Sequence, residues 1–296
     1  MQQIYTSKYN EFKLDEESFF RAFPKRAANA HKGSTGKILL ISGSYGMAGA
    51  ACLNILGARA LGAPYINVML PKDIYPVAAS RFMEPVFYPY TEENYKSVLP
   101  HLAANCSAAA YGSGAVNNLN KLDILRLLLW TCKAPVVLDA EALNILSANM
   151  HLLDKASDAM PPIIITPHLG EFMQFTGKSK QQVMEDPAGA AAECAEKYGF
   201  ITVLKGPETI VASPDERIYV NCSGNQGLAQ AGSGDVLTGM ITAMLSFMDD
   251  PFESACMGVF AHGMAADELC THHAYQTMPL EEITQAMDRL FKKHGF

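Results

Sequence analysis

The chain has 296 residues, 49% apolar and 18% charged, which supports a sizeable buried core and excludes general disorder. A net charge of −7 gives a phosphate backbone no long-range attraction, so nucleic acid is not an expected partner, although backbone amides and a lysine or two can still hold a nucleotide locally. The seven cysteines are odd in number and show no C-x-x-C spacing, the pattern of reduced thiols in a reducing compartment such as the cytoplasm rather than of a disulfide frame or a zinc site.

Residues 1–30 predict an N-terminal helical arm. Met1–Phe20 mixes charges with aromatics and lacks the apolar stretch of a signal peptide. A strand over Lys37–Ser42 then leads through the loop Gly43–Gly49 into a helix over Ala50–Leu61. Asn54 and Arg59 interrupt this most apolar stretch, so no membrane span is predicted. Further strands are expected at Tyr65–Leu70, Ala108–Tyr111, Pro135–Leu138, Ile163–Thr166 and Ile201–Leu204, with helices between some of them at Lys121–Thr131 and Pro187–Tyr198. Strands alternating with helices imply βαβ units, and continuous apolar runs imply strands covered on both faces. Thr209–Ala212 and Arg217–Asn221 predict a hairpin at an antiparallel edge, and the chain after Asp235 reads as helical. The expectation is one α/β domain over residues 1–296, with a mostly parallel sheet between helices.

Ligands of such sheets lie beyond the C-terminal ends of the strands, and the unusual residues gather there. Gly112-Ser-Gly114, Asp139, His168 and Lys205-Gly206 each follow a predicted strand. The most specific segment is Ala231-Gly-Ser-Gly-Asp-Val-Leu-Thr-Gly239. Gly232, Ser233 and Gly234 form a candidate anion hole where free amides and the helix dipole meet. Asp235 beside it either accepts a proton from a substrate hydroxyl or merely caps the helix. Lys205 followed by Gly206 and Pro207 offers a cation at a strand end, or else a solvated turn lysine. His168 is either a ligand contact or an exposed loop residue. Asp139 and Glu141 either bracket one site, serving Mg2+ or positioning, or mark a helix N-terminus. The glycine loops are neither a Walker A nor a G-x-G-x-x-G.

Taken in order, five segments resemble the ADP/ATP-dependent NAD(P)HX dehydratases: His31-Lys-Gly-Ser-Thr-Gly-Lys37 leading to Gly43–Ala51, Asp139-Ala-Glu-Ala-Leu-Asn144, Thr166-Pro-His168, Leu204-Lys-Gly206 and Gly232-Ser-Gly-Asp235. The resemblance implies a ribokinase-like fold and the repair of hydrated NADH and NADPH (NAD(P)HX), with ADP or ATP as co-substrate and Mg2+ as cofactor. By position it places Ala50, Gly114, His168 and Asp235 at NAD(P)HX. Lys205, Gly206, Pro207, Glu208, Thr209 and Gly234 fall at the adenine nucleotide. Asp235 becomes the base that assists phosphorylation of the hydrate hydroxyl. It further implies a homo-oligomer, a tetramer in the family, and assigns no metal ligands. Gln230-Ala231 departs from the usual Thr-Gly, and Glu141 stands where Asp is usual. Two other classes compete: a ribokinase-like kinase of a small alcohol, and a non-catalytic nucleotide-binding protein of the same fold.

Overall fold

Apolar runs of three to six residues separated by helices give a layered α/β structure. The computed structural model describes residues 9–29, 36–153 and 160–296; His31–Thr35 of the first family-like segment lies outside them. The elements in chain order are β1 (Asn10–Glu11), α1 (Glu16–Ala22), β2 (Ile38–Ile41), α2 (Ala48–Ala60), β3 (Ile66–Pro71), α3 (Tyr75–Arg81), β4 (Val86–Tyr90), α4 (Tyr95–Ala104), β5 (Ala108–Tyr111), α5 (Lys121–Thr131), β6 (Val136–Leu138), α6 (Glu141–Ala148), β7 (Ile163–Ile165), α7 (Leu169–Thr176), α8 (Lys180–Glu185), α9 (Pro187–Tyr198), β8 (Ile201–Leu204), β9 (Ile210–Ala212), β10 (Arg217–Val220), α10 (Ser233–Leu245), α11 (Pro251–Leu269) and α12 (Ile283–Lys293).

One ten-stranded sheet runs β1-β10-β9-β8-β7-β6-β5-β2-β3-β4. From β4 to β8 all neighbours are parallel; β9 is antiparallel to both β8 and β10. Alternate strand residues feed two cores. Ile38, Leu40, Val68, Val137 and Val203 pack under α2, α10, α11 and α12, whereas Leu39, Ile41, Met69, Val136 and Ile165 pack under helices of the opposite face. Burial on both faces explains why these strands read as unbroken apolar runs.

The structure corrects the N-terminal arm. Of its described part, only Glu16–Ala22 is helical, capped by Asp15 and buried through Phe19 and Phe20; Asn10–Glu11 instead pairs with β10. That pairing also means the β9–β10 hairpin is antiparallel as expected but does not end the sheet. β4 was absent from the sequence reading. It contains Pro89, which a strand tolerates where one side lacks a hydrogen-bonded neighbour, and β4 is the edge.

Two features position the loops. The chain builds β2, β3 and β4 to one side, then returns to place β5 on the other side of β2, so the order reverses between β2 and β5. A crevice opens at such a reversal. The second feature is the crossing of α2 and α10. A Cβ at Gly57 would sit 2.0 Å from the Val236 carbonyl oxygen, and one at Gly239 would sit 2.1 Å from that of Asn54. Glycine therefore lets the two backbones touch. Gly239→Ala should cost about 1–3 kcal/mol, as overpacking does. A denaturation midpoint equal to wild type would contradict the close crossing.

Candidate active site

The ends of β5, β6 and β7 are level, because Tyr111 pairs with Leu138 and Leu138 with Ile165. The next residues therefore converge. Asp139 is fully buried, and its Oδ1 accepts from Thr166 Oγ1 at 2.8 Å and from Lys205 Nζ at 3.0 Å, while its Oδ2 accepts from Ser113 Oγ at 3.2 Å. Burial works to raise its pKa, but the Lys205 charge and these hydrogen bonds prevail and hold the carboxyl below its ordinary value. Burial likewise works against the Lys205 ammonium, yet Asp139, Glu171 and Asp235 keep its pKa raised. Lys205 is thus a charged, largely buried side chain and not a solvated turn lysine.

Lys205 points at the start of α10. A Cβ on Gly234 would lie 3.2 Å from its Nζ. The helix begins at Gly232, held at φ 93°, and no side chain caps it. A missing side-chain cap is shared with α2 to α6 and α12, so what sets the start of α10 apart is the Lys205 ammonium beside Gly234. Gly232 and Gly234 thus bring amides without a side-chain cap, and Lys205 an ammonium, to one place, while the Ser233 amide makes a long bond to the Gln230 carbonyl at 3.4 Å; the arrangement suits an anion. Asp235 stands in the first turn, three residues inside the helix, so it is not the N-cap. Burial first, and then the Asp139 carboxylate, push its pKa up to about 6, against the opposing influence of Ser113 and Lys205.

The β2 and β5 loops are stitched together across the crevice. Ser44 Oγ donates to the Gly114 carbonyl at 2.7 Å, and Gly43 N to that of Ser113 at 2.8 Å. Gly114, at φ 66°, leaves no room for a Cβ, which would meet that of Ala50 at 2.6 Å. Ala50 and Gly114 therefore share one wall.

His168 forms a bridge with Lys205 across adjacent strand ends and serves as N-cap of α7. Its Nδ1 accepts from the amides of Gly170 and Glu171 at 3.0 and 3.2 Å. Nδ1 is thus an acceptor for its own helix, and Nε2, 3.5 Å from Glu171 Oε1, is the ring's donor. Gly206, Pro207 and Glu208 are exposed, and Thr209 Oγ1 closes their loop by donating to the Gly206 carbonyl at 3.2 Å. Asp139 and Glu141 do not bracket one site: Glu141 is turned to Lys121 and Asn144. Gln230 ties its loop to the carbonyls of Gly227 and Met278.

Three polar residues lie in segments that the sequence marks without giving them a role. Asn54 of α2, Ser113 and Thr166 are all buried and hold Asp139 or the Asp235 backbone. For Asn54 the available signal was an asparagine inside a helix whose other polar side chain, Arg59, comes only in the last turn. Hollows of about 350 and 280 Å3 lie elsewhere, beside Lys178 and Asp186 and beside Leu122 and Arg126. Neither touches these groups, so the convergent polar chemistry and not cavity size marks the site. The seven cysteines are free thiols, and among the described residues no helix is long and apolar enough to cross a membrane.

Comparison with known proteins fits this geometry. A family model described as NAD(P)H-hydrate dehydratase matches residues 38–289. The chain belongs to that family. It is 37% identical over 250 residues to the ADP-dependent (S)-NAD(P)H-hydrate dehydratase of Neisseria meningitidis, covering 84% of this chain and 82% of the relative. It is 31% identical to a bifunctional NAD(P)H-hydrate repair enzyme of Moorella thermoacetica, of which it spans 49%. The crystal structure of the Bacillus subtilis ADP/ATP-dependent NAD(P)H-hydrate dehydratase with ATP/Mg2+ superposes with a TM-score of 0.82 at 29% identity, covering 98% of this chain and 100% of that one. A ribokinase-like superfamily protein of Enterococcus faecalis, 19% identical, shares the fold with a TM-score of 0.85 over 99% of both chains. The ribokinase-like fold is therefore established, and the family match favours a dehydratase over a small-alcohol kinase.

Replacing Lys205 by Met should leave Asp139 buried without its counter-charge and cost about 3–5 kcal/mol of stability. Adding Asp139→Asn to that variant should recover part of the loss. Additive costs in urea denaturation would mean that the two side chains are not coupled.

Proposed function

We propose that this protein dehydrates hydrated NADH and NADPH back to the reduced dinucleotide at the expense of ADP or ATP. The observation that carries the reading is Asp235, its pKa raised to about 6, beside an uncapped helix end and the Lys205 ammonium. The terminal phosphoryl group would sit on the amides of Gly232, Ser233 and Gly234, with Lys205 near its oxygens. Gly206 to Thr209 would hold the rest of the adenine nucleotide. Ala50 and Gly114 would form the wall against NAD(P)HX, and His168 Nε2 would donate to it. Asp235 would take the proton of the hydrate hydroxyl as its oxygen attacks phosphorus. That attack displaces AMP from ADP, or ADP from ATP; the carbon–oxygen bond of the phosphate ester then breaks, inorganic phosphate leaving with the bonding electron pair, and the neighbouring ring carbon gives up a proton to solvent, which restores the double bond.

Mg2+ fits as an ion carried by the nucleotide. Among the described residues no three His, Cys, Asp or Glu side chains converge on one point, and Asp139 is taken up by Lys205. Mg2+ is commonly held in part by substrate phosphates, and here those phosphates would be its main ligands, Asp235 being kept for the proton. When bound it would neutralise phosphate charge. A reducing, cytoplasmic setting agrees with seven free thiols. Self-association into a homo-oligomer is supported by exposed Leu119, Leu122 and Trp130 on and beside α5.

Incubation with hydrated NADH, Mg2+ and either ADP or ATP should restore the absorbance of the reduced nicotinamide. No recovery with either nucleotide, together with phosphorylation of a small alcohol such as hydroxymethylpyrimidine, would replace the dehydratase by a kinase. Asp235→Asn should lower turnover by about 10²–10⁴-fold. Because Asp235 is a base only when ionised, kcat/KM should rise with pH through about 6. A flat profile between pH 5 and 7 would remove it from that role.

His168 needs two variants, since it also caps a helix. His168→Ala should cost about 0.5–2 kcal/mol through the lost cap. His168→Asn keeps a capping oxygen but lacks the Nε2 donor. It should raise the Michaelis constant for NAD(P)HX several-fold and spare that for the adenine nucleotide. An unchanged constant in His168→Asn would leave His168 as a cap alone.

A further inference from the structure

Of the seven free thiols, two touch. Cys106 lies in the link from α4 to β5, and Cys132 is the C-cap of α5 at the start of the link to β6. β5 and β6 are parallel neighbours, with Ala109 opposite Val136 and the Ala109 amide donating to the Pro135 carbonyl at 2.9 Å. The two links therefore run side by side at the N-terminal edge of the sheet. Their sulfurs stand 3.7 Å apart. Each thiol can give its proton to a backbone carbonyl, Cys106 to Ala103 and Cys132 to Ala134, both at 3.3 Å, which leaves sulfur facing sulfur. Cys222 and Cys270, the other thiols that are not buried, turn instead to the Leu14 carbonyl and the Asn225 side chain.

We propose that Cys106 and Cys132 form a redox-modification site, which a low-molecular-weight disulfide oxidises to an internal disulfide and a small thiol reopens. The site is independent of the dehydratase reading and of the chemistry at Asp235. Cys106 is half-buried and Cys132 is 1% exposed, so the oxidant meets Cys106. Cys106, as thiolate, attacks one sulfur of the small disulfide and expels one small thiolate. Cys132 then loses its proton and attacks Cys106 Sγ, and the second small thiolate leaves with the electron pair of the mixed disulfide bond. The two protein thiols give up two electrons and two protons; the small disulfide takes them and becomes two small thiols. A sulfur–sulfur bond is about 2.05 Å, so the two atoms close by about 1.7 Å, a motion within the reach of side-chain rotation. Contact with Cys132 and burial hold the Cys106 thiol above its ordinary pKa, so the first step is the slow one.

The place of the pair decides what the bond does. Ser113 and Asp139 stand beyond the opposite ends of β5 and β6, so the bond forms a strand's length away from the candidate active site. The two strands are already held in register through Ala109, Ala110 and Tyr111, which leaves the folded state little freedom for the bond to remove. It acts instead on the unfolded chain, where it closes a loop containing all of α5. Oxidation should therefore stabilise the fold without reaching the site.

Incubation of the reduced protein with excess oxidised glutathione, then alkylation of the remaining thiols and peptide mass mapping, should show a cross-link between the peptides of Cys106 and Cys132, lighter than their sum by two hydrogens. The thermal midpoint should rise by about 5 °C, and reduced glutathione should return it. Cys132→Ala should stop at a glutathione adduct on Cys106, with no rise in the midpoint. Cys106→Ser should leave Cys132 unmodified. Should Cys132→Ala not fold, the wild-type peptide map decides by itself. A lasting glutathione adduct on Cys106 of the wild-type chain, a cross-link of either residue to another cysteine, or both thiols still open to alkylation after unfolding would overturn the proposal.

Discussion

The site depends on the buried ion pair between Lys205 and Asp139. Each side chain alone would be untenable. Lys205 is directed at the positive end of α10, where the helix dipole repels a cation. Asp139 lies at full burial, where a lone carboxylate would be neutralised. Together, at 3.0 Å, they stay charged and tie the end of β6 to the end of β8. Thr166 at the end of β7, the strand between them, supplies a third tether. The pair also conditions Asp235. Burial raises its pKa first, and the Asp139 carboxylate adds to this and offsets the lysine, which is why the pKa rises instead of falling beside a cation.

A second constraint joins this electrostatic arrangement to the fold. The close crossing of α2 and α10, allowed by Gly57 and Gly239, brings Asn54 within 2.7 Å of the Asp235 carbonyl. A wider crossing would lengthen that bond and loosen the first turn of α10, the turn that carries both the anion-binding amides and the carboxyl. Every residue of α10 from Val236 to Leu245 is buried, so the helix has no free face on which to shift. The loops of the β2–β5 reversal are anchored to the same unit, because Ser113 receives Asn54 on its side chain and Gly43 on its carbonyl.

Much of this was legible in the sequence, and the limits follow physical lines. The strands at Ala108–Tyr111 and Ile201–Leu204 and the helices at Lys121–Thr131 and Pro187–Tyr198 stand where their apolar runs and flanking residues place them. β4 was not legible, because an edge strand with Pro89 lacks the continuous apolar run of its buried neighbours. The convergence of Asp139, His168 and Lys205 followed from strand ends, since the topology of a parallel sheet brings such ends together, while Asp235 was legible from the glycine-rich start of its helix. What the strand-end rule could not supply was direction. Asp139 and Glu141 are two apart yet diverge, and the imidazole of His168 spends Nδ1 on amides of its own helix and turns Nε2 toward Glu171. The roles of Asn54, Ser113 and Thr166 are silent in sequence because each acts through partners at least 26 residues away.

The raised pKa of Asp235 bears on which reaction the site suits. A kinase needs its carboxylate only once, to take a proton as the hydroxyl attacks phosphorus. In the proposed dehydration the oxygen that was phosphorylated must afterwards depart from carbon, and the departing phosphate is helped by a proton. The acid available at that moment is Asp235, which has just been protonated. An ordinary carboxyl near 4 would hold that proton poorly at neutral pH. One near 6 ionises readily enough to act as a base and retains the proton long enough to return it, the compromise that general acid–base catalysis near neutrality favours. Burial beside Asp139 sets that compromise, and the Lys205 charge keeps it from going further toward the neutral form.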